Sequence, residues 1–139
     1  MNYTKLKKSN FEVSTIGLGT NAVGGHNLFQ NVNEQDGKDF VREALNLGVT
    51  FIDTADIYGL GRSEELVGEV LKEFNRDNLV IATKGSQNFT NLDDVKTDNR
   101  PDYLREAVEK SLQRLQLDYV DLYYLHFPDI VTPFAESIG

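Results

Sequence analysis

Four side chains with catalytic potential stand at or near the ends of short apolar segments of the sequence. Asp53 closes the segment FID, Lys84 closes IATK and His126 follows YYL. The fourth, Tyr58, comes five residues after Asp53 in a glycine-rich turn, YGLG. Together they offer an acid, a base, a phenol and an imidazole, the groups that proton-transfer catalysis uses. If the apolar segments are neighbouring strands of a barrel, these side chains meet at one mouth.

Each of the four side chains also has a structural explanation. Asp53 could cap a turn, Tyr58 could pack in the core, and His126 could be a hydrogen-bonded structural histidine. Lys84 is harder to explain in this way, because an ammonium that closes an apolar strand needs a carboxylate or a solvated cleft. Since three of these residues occur at successive strand ends and Tyr58 follows in the turn after the first of them, we interpret all four together as a functional site.

The elements that must position these side chains form a series of strand and helix units. Apolar segments with β-branched or aromatic residues predict four strands, over 14–19, 50–53, 79–83 and 119–125. Both faces of residues 79–82 are apolar, which favours a parallel sheet covered on both sides.

Three helices are predicted between these strands. The clearest has apolar residues at 3-4 spacing over 104–115, with Pro101 in its first turn. A second begins at Ser63, whose hydroxyl can cap it. The earliest covers 33–47 and ends at Gly48. Its predicted apolar side consists of Phe40, Val41, Ala44 and Leu45.

The alternation of strands and helices predicts right-handed βαβ units and therefore an α/β fold, either a barrel or a doubly wound sheet. Periodicity does not distinguish the two. One long irregular connection is expected over 86–100, and loops of this length are often functional. No linker or change of composition divides the chain, so we expect one domain.

Composition excludes several classes of function. The formal net charge of −8 disfavours a nucleic-acid partner, and the lysines at 5, 7 and 8 are expected in a solvated N-terminal hairpin. Without cysteine, and with histidines only at His26 and His126, the sequence has no metal-ligand spacing. We interpret His26 as a loop residue. No signal-like segment and no run of about 20 apolar residues is present, which predicts a cytoplasmic protein that does not bind membranes.

Several motifs together resemble the aldo-keto reductase superfamily. The segment GVTFIDTADIYG over 48–59, followed by SEELVG over 63–68, is similar to the most recognisable signature of that family. Four further segments match in the order of the family: IGLGT over 16–20, IATK over 81–84, SLQRL over 111–115 and DYVDLYYLH over 118–126. The likeness covers almost the whole chain and is closest to the bacterial branch of general-stress and inositol-linked reductases.

The resemblance implies the N-terminal half of a (β/α)8 TIM barrel, with about four β/α units and a hairpin. It implies NADPH-dependent reduction of aldehydes or ketones and places the catalytic tetrad of the family on Asp53, Tyr58, Lys84 and His126. Tyr58 would donate a proton to the carbonyl oxygen, while Lys84 would stabilise the phenolate and Asp53 would hold Lys84. His126 would orient or polarise the substrate carbonyl.

The family analogy also assigns a cofactor region. Gly19, Thr20, Asn21 and Asp53 would lie near the nicotinamide and its ribose. The pair Gly24-Gly25 is either a second approach to the ligand or a flexible turn, and the sequence does not separate these readings.

A complete barrel needs eight strands and roughly 250 residues. We therefore expect residues 1–139 to form a single truncated domain with unpaired edge strands, which would associate with another copy or with a complementing half-barrel chain. Two alternatives to a reductase stay open. One uses Lys84 as a Schiff-base nucleophile, and the other is a non-catalytic half-barrel or binding module, like the channel-associated regulatory subunits of the superfamily.

Overall fold

The computed structural model describes residues 1–25, 32–91 and 93–138, so His26 lies outside the described residues. In chain order, the strands and α-helices are β1 (Tyr3–Lys5), β2 (Glu12–Ser14), β3 (Leu18–Gly19), α1 (Glu34–Asn46), β4 (Phe51–Asp53), α2 (Arg62–Leu71), β5 (Val80–Gly85), β6 (Gln87–Phe89), β7 (Val95–Thr97), α3 (Pro101–Leu115), β8 (Leu122–Leu125) and α4 (Phe134–Ser137).

One parallel sheet carries the fold, with its strands in the order β3-β4-β5-β8. Successive parallel strands are neighbours in the sheet, as in a barrel, whereas a doubly wound sheet reverses its order at a switch point. Helix α1 contacts α2, and α2 contacts α3, so the helices form a layer over the sheet. The fully buried core includes Val41, Ile52, Leu66, Val67, Val70, Ile81 and Leu115. The expected half-barrel architecture is therefore confirmed.

The first predicted strand, over 14–19, is wrong in its extent. Strand β2 pairs antiparallel with β1 and ends at Ser14, and the parallel sheet begins only at Leu18. A turn separates the two because the Ser14 hydroxyl donates to the Ile16 carbonyl. Ser14 and Thr50 then exchange side-chain and backbone hydrogen bonds, which fix the hairpin against the sheet. The expected solvated N-terminal hairpin is present.

The helix boundaries agree closely with the predictions, but two details differ. The Ser63 hydroxyl does not cap α2. That helix starts one residue earlier, after Gly61 at φ 94, and Ser63 accepts a hydrogen bond from the Gly24 N–H. Phe40 is exposed rather than part of the buried side of α1. The rotation of α1 about its axis explains this, because Val41 and Leu45 occupy the face that packs on the core.

Two connections also differ from the predictions. The segment 86–100 is not irregular, since β6 and β7 pair antiparallel within it. The last strand is shorter than the predicted 119–125 because Asp121 bonds to Ile81 through both its N–H and its carboxylate. The Asp121 carboxylate thus replaces a main-chain carbonyl as the acceptor for the Ile81 N–H.

A buried polar network ties the helix layer to β5. The Glu64 carboxylate is 0% exposed and accepts hydrogen bonds from Arg114 Nε at 2.7 Å and from the Thr83 hydroxyl at 2.5 Å. Since an unpaired buried charge is costly, this arrangement fixes α2, α3 and β5 relative to one another. Thr83 precedes Lys84 in β5, so the network lies on the face of the strand opposite to the Lys84 side chain.

Asp56 is a second buried acid beside this network. It is 2% exposed, and its Oδ1 has no hydrogen-bond partner among the described residues. Burial, and then the negative charge of Glu64, raise the pKa of Asp56 to about 7. The carboxyl group is therefore held closer to its neutral form than an exposed aspartate is.

We predict that Asp56 makes the stability of the fold decrease as the pH rises. Its pKa is higher in the folded state than in the unfolded state, so the contribution of Asp56 to stability is fully present below about pH 4 and is lost as the pH rises through 7. The variant Asp56→Asn should be more stable than the wild type at pH 8, by up to about 4 kcal/mol, and nearly equal to it at pH 4. Denaturant unfolding across this pH range measures the difference. Parallel curves for the two proteins would contradict the assignment.

Candidate active site

Three of the four residues singled out from the sequence stand at the carboxyl ends of neighbouring strands. Asp53 ends β4, Lys84 lies near the end of β5, and His126 follows β8 directly. Because the strands are parallel and adjacent, these ends open on the same side of the sheet.

Lys84 is the centre of the site. Its Nζ donates to Asp53 Oδ2 at 2.8 Å, to the Thr54 carbonyl at 2.8 Å and to the Tyr58 hydroxyl at 3.2 Å. An ammonium has three N–H donors, and all three have acceptors here. The Lys84 side chain is only 14% exposed, against 33% for Asp53. The charged group is therefore satisfied by the protein and largely shielded from solvent.

A tight turn after β4 carries Tyr58. Residues Tyr58–Gly61 form a tight turn in which Gly59, Leu60 and Gly61 have positive φ values of 59°, 55° and 94°. Glycine adopts this left-handed region without steric cost. At Gly59 a side chain would also approach the Gly24 carbonyl to 3.1 Å. The glycines thus allow the chain to turn back sharply and leave the phenol beside Lys84.

His126 faces the same phenol. Its ring meets the Tyr58 ring edge to face, with centroids 5.8 Å apart and an interplanar angle of 80°. On its other side it stacks on Phe127, at a centroid distance of 4.9 Å. Burial and the nearby Lys84 cation lower the pKa of His126, so the imidazole is neutral near pH 7. A neutral imidazole carries one N–H that can donate to a substrate oxygen.

The residues assigned to the cofactor region divide into two groups. A side chain at Gly19, which pairs with Asp53 in the sheet, would meet nothing within 4 Å, and Asn21 and Asp53 are half-buried, so all three are at least partly accessible to a ligand. Thr20 is fully buried, and its N–H and hydroxyl both donate to the Asp53 carbonyl at 3.1 Å. Thr20 therefore joins β3 to β4 and presents no surface to a ligand.

In the pair Gly24-Gly25, the first glycine packs closely against the protein and the second has a positive φ of 70°. A Cβ on Gly24 would lie 2.6 Å from the Ser63 backbone nitrogen. Close packing on the start of α2 therefore explains Gly24, and this observation favours the turn reading over the ligand reading.

Two features of the site had little or no signal in the sequence. The Thr54 carbonyl is a backbone acceptor for Lys84, and any residue type would supply it. Phe127 stacks on His126, and the only hint was an aromatic residue next to the histidine. Within residues 1–25, 32–91 and 93–138, no cluster of three or more potential metal ligands occurs. Over the same ranges, no helix is both long enough and apolar enough to cross a membrane.

Comparison with known proteins identifies relatives along almost the whole chain. Among curated proteins, aldo-keto reductase YhdN of Bacillus subtilis is 43% identical over 99% of this chain and 41% of its own length. Aldo-keto reductase yakc [NADP(+)] of Schizosaccharomyces pombe is 34% identical over 96% of this chain and 39% of its length. The NADH-specific methylglyoxal reductase of Escherichia coli is 36% identical over 96% of this chain and 45% of its own length. The chain thus spans about two fifths of the length of these relatives.

A solved structure shows the same relationship. The holo form of aldo-keto reductase AKR11C1 from Bacillus halodurans matches with a TM-score of 0.87 and 36% identity, over 99% of this chain and 44% of that one. The model of the aldo/keto reductase family matches residues 15–139. The chain therefore belongs to the aldo/keto reductase family of oxidoreductases.

Proposed function

We propose that this chain carries the catalytic tetrad of an NADPH-dependent reductase of aldehydes and ketones. The observation that supports this most directly is the Lys84 ammonium, which contacts the Asp53 carboxylate and the Tyr58 hydroxyl at once. His126 faces the same phenol from the end of the next strand. The substrate is a small carbonyl compound, in keeping with the family.

Tyr58 acts as the proton donor. A phenol gives up its proton reluctantly near neutral pH, so the proton moves to the carbonyl oxygen only if the phenolate left behind is stabilised. Lys84 provides that stabilisation from 3.2 Å. Asp53 and the Thr54 carbonyl hold the ammonium in place. His126, neutral near pH 7, donates its N–H to the carbonyl oxygen and orients it toward the phenol.

The second substrate is a reduced nicotinamide cofactor, which supplies the hydride when bound. Gly19, Asn21 and Asp53 would hold its nicotinamide-ribose end: Gly19 has open space next to Asp53, and all three residues are at least partly exposed. Thr20 would act indirectly, by fixing Asp53 relative to β3.

We further propose that residues 1–139 act as one domain, the half-barrel that bears the tetrad. Its two outer strands in the described sheet, β3 and β8, each pair on one side only. Such edges favour pairing with another copy or with a complementing half-barrel chain. A cytoplasmic location stays a prediction from the sequence.

The cofactor assignment is testable by binding. We expect the chain to bind NADPH more tightly than NADH in parallel fluorescence titrations or calorimetry. The name of the S. pombe relative carries NADP(+), whereas the E. coli relative is named NADH-specific, so the choice requires measurement. Tighter binding of NADH would contradict the NADPH assignment. The absence of binding at millimolar concentrations of either nucleotide would favour a non-catalytic half-barrel.

The proton-donor role predicts the effect of Tyr58→Phe. This variant keeps the aromatic ring but lacks the hydroxyl, so kcat for aldehyde reduction should fall by about 10²- to 10⁴-fold while cofactor affinity stays unchanged. The matched control is Tyr119→Phe, at an exposed tyrosine outside the site. Oxidation of NADPH, followed by absorbance, gives both rates. Equal kcat values for the wild type and Tyr58→Phe would exclude Tyr58 as the donor.

The Schiff-base alternative makes a different prediction for Lys84. A nucleophilic lysine must be a neutral amine, but here all three N–H donors of an ammonium have acceptors. We therefore expect no covalent labelling of Lys84 when the chain is incubated with a carbonyl substrate and borohydride. Peptide mass spectrometry reads the result, with Lys84→Met as the control. A reduced adduct on Lys84 would support the aldolase-like reading instead.

A further inference from the structure

The loop that carries His126 is held by two buried polar residues with no role in the tetrad. Ser86 and Asn99 are both almost completely buried. The Ser86 hydroxyl accepts the Phe127 N–H at 2.9 Å, and the Asn99 amide donates to the Phe127 carbonyl at 3.0 Å. Phe127 is thus bonded at both its backbone N–H and its carbonyl by side chains that come from two other segments.

His126 itself lacks such support on its ring. Its buried Nδ1 has no hydrogen-bond partner among the described residues. Its backbone N–H donates to the Gly85 carbonyl at 2.7 Å, and its ring stacks on Phe127. Besides the edge-to-face contact with Tyr58, the orientation of the imidazole therefore depends on where the Phe127 backbone and ring are held.

Ser86 adopts an unusual backbone conformation to make this contact. Its φ is 109°, a region that a residue with a side chain rarely adopts because it is strained. The Ser86 carbonyl also accepts the Asp98 N–H at 2.7 Å, which draws the segment before α3 toward the site. The strained residue thus brings together the chain after β5, the chain before α3 and the chain after β8.

Asn99 is anchored for the same contact. Its N–H donates to Asp129 Oδ2 at 2.8 Å, so its backbone is tied to the loop beyond His126. Its Oδ1 is buried without a partner among the residues described, which leaves the bond to Phe127 as the one that its side chain makes there. A buried amide with this single bond is expensive to keep for packing alone.

We propose that Ser86 and Asn99 are positioning residues that set the orientation of the His126 imidazole through the Phe127 backbone. They touch neither substrate nor cofactor, and their effect passes through the stacked ring. The inference rests on the proposed role of His126 in carbonyl reduction, but the orientation of the ring is observable without any reaction.

The test uses the full chain and three variants. Ser86→Gly and Ser86→Ala both remove the hydroxyl, but only glycine accepts the positive φ without strain. Asn99→Ala removes the second bond. Lys8→Gly is the matched control, because Lys8 also has a positive φ, 64°, and lies exposed in the N-terminal hairpin.

The direct readout is the NMR signal of the His126 ring protons, assigned with a His126→Gln variant. Stacking on Phe127 displaces these signals upfield in the wild type. We expect Ser86→Gly, Ser86→Ala and Asn99→Ala to lose that displacement, and Lys8→Gly to keep it. Unchanged signals in the Ser86 and Asn99 variants would overturn the proposal. An effect in Ser86→Gly without one in Ser86→Ala would also overturn it, since the backbone rather than the hydroxyl would then be responsible.

Kinetics provide the second readout. In aldehyde reduction, the Ser86 and Asn99 variants should show a kcat about 10- to 100-fold lower than the wild type, with cofactor affinity unchanged. If the wild-type chain reduces no carbonyl compound, the proposed function fails while the NMR result still decides the inference. Normal kcat in variants whose ring signals have lost the upfield displacement would overturn the link to His126.

Discussion

The arrangement of the site depends on one charged hydrogen-bonded group, the ammonium of Lys84. A lysine at the end of a buried strand is tolerated only where its charge is paired and its donors are satisfied. Asp53 supplies the charge from the neighbouring strand, and the turn that follows Asp53 supplies the Thr54 carbonyl and the Tyr58 hydroxyl. The register of β4 against β5 and the sharp turn after β4 are therefore both needed to satisfy this one side chain.

The sequence was informative where a pattern has one physical solution. Apolar strands that end in Asp53, Lys84 and His126 place those side chains at one edge of a parallel sheet, and the structure has them there. Glycines at 59 and 61 announced a tight turn, and both have positive φ. The α/β class followed from the alternation of elements, whereas the barrel topology needed the resemblance to a family.

The sequence was less informative where the outcome depends on distant contacts. Ser63 is a good helix cap by residue type, but its hydroxyl is used by Gly24, 39 positions away. Phe40 fits the apolar side of α1 by period, yet the rotation of that helix is set by what packs on it. Ser86 and Asn99 lie in a polar segment that reads as a loop, and no local pattern indicates that their partner is Phe127.

The two neighbours Thr83 and Lys84 serve opposite faces of β5. Thr83 bonds to Glu64 in the helix layer, while Lys84 bonds to Asp53 on the other face. Side chains of a strand alternate between faces, so a shift of one position exchanges the two. A single-codon deletion within β5 would thus move the ammonium to the face that carries Arg114 and the hydroxyl to the face that carries Asp53. In this part of the gene, natural variation should consist of substitutions, and length changes should be confined to the loops on either side.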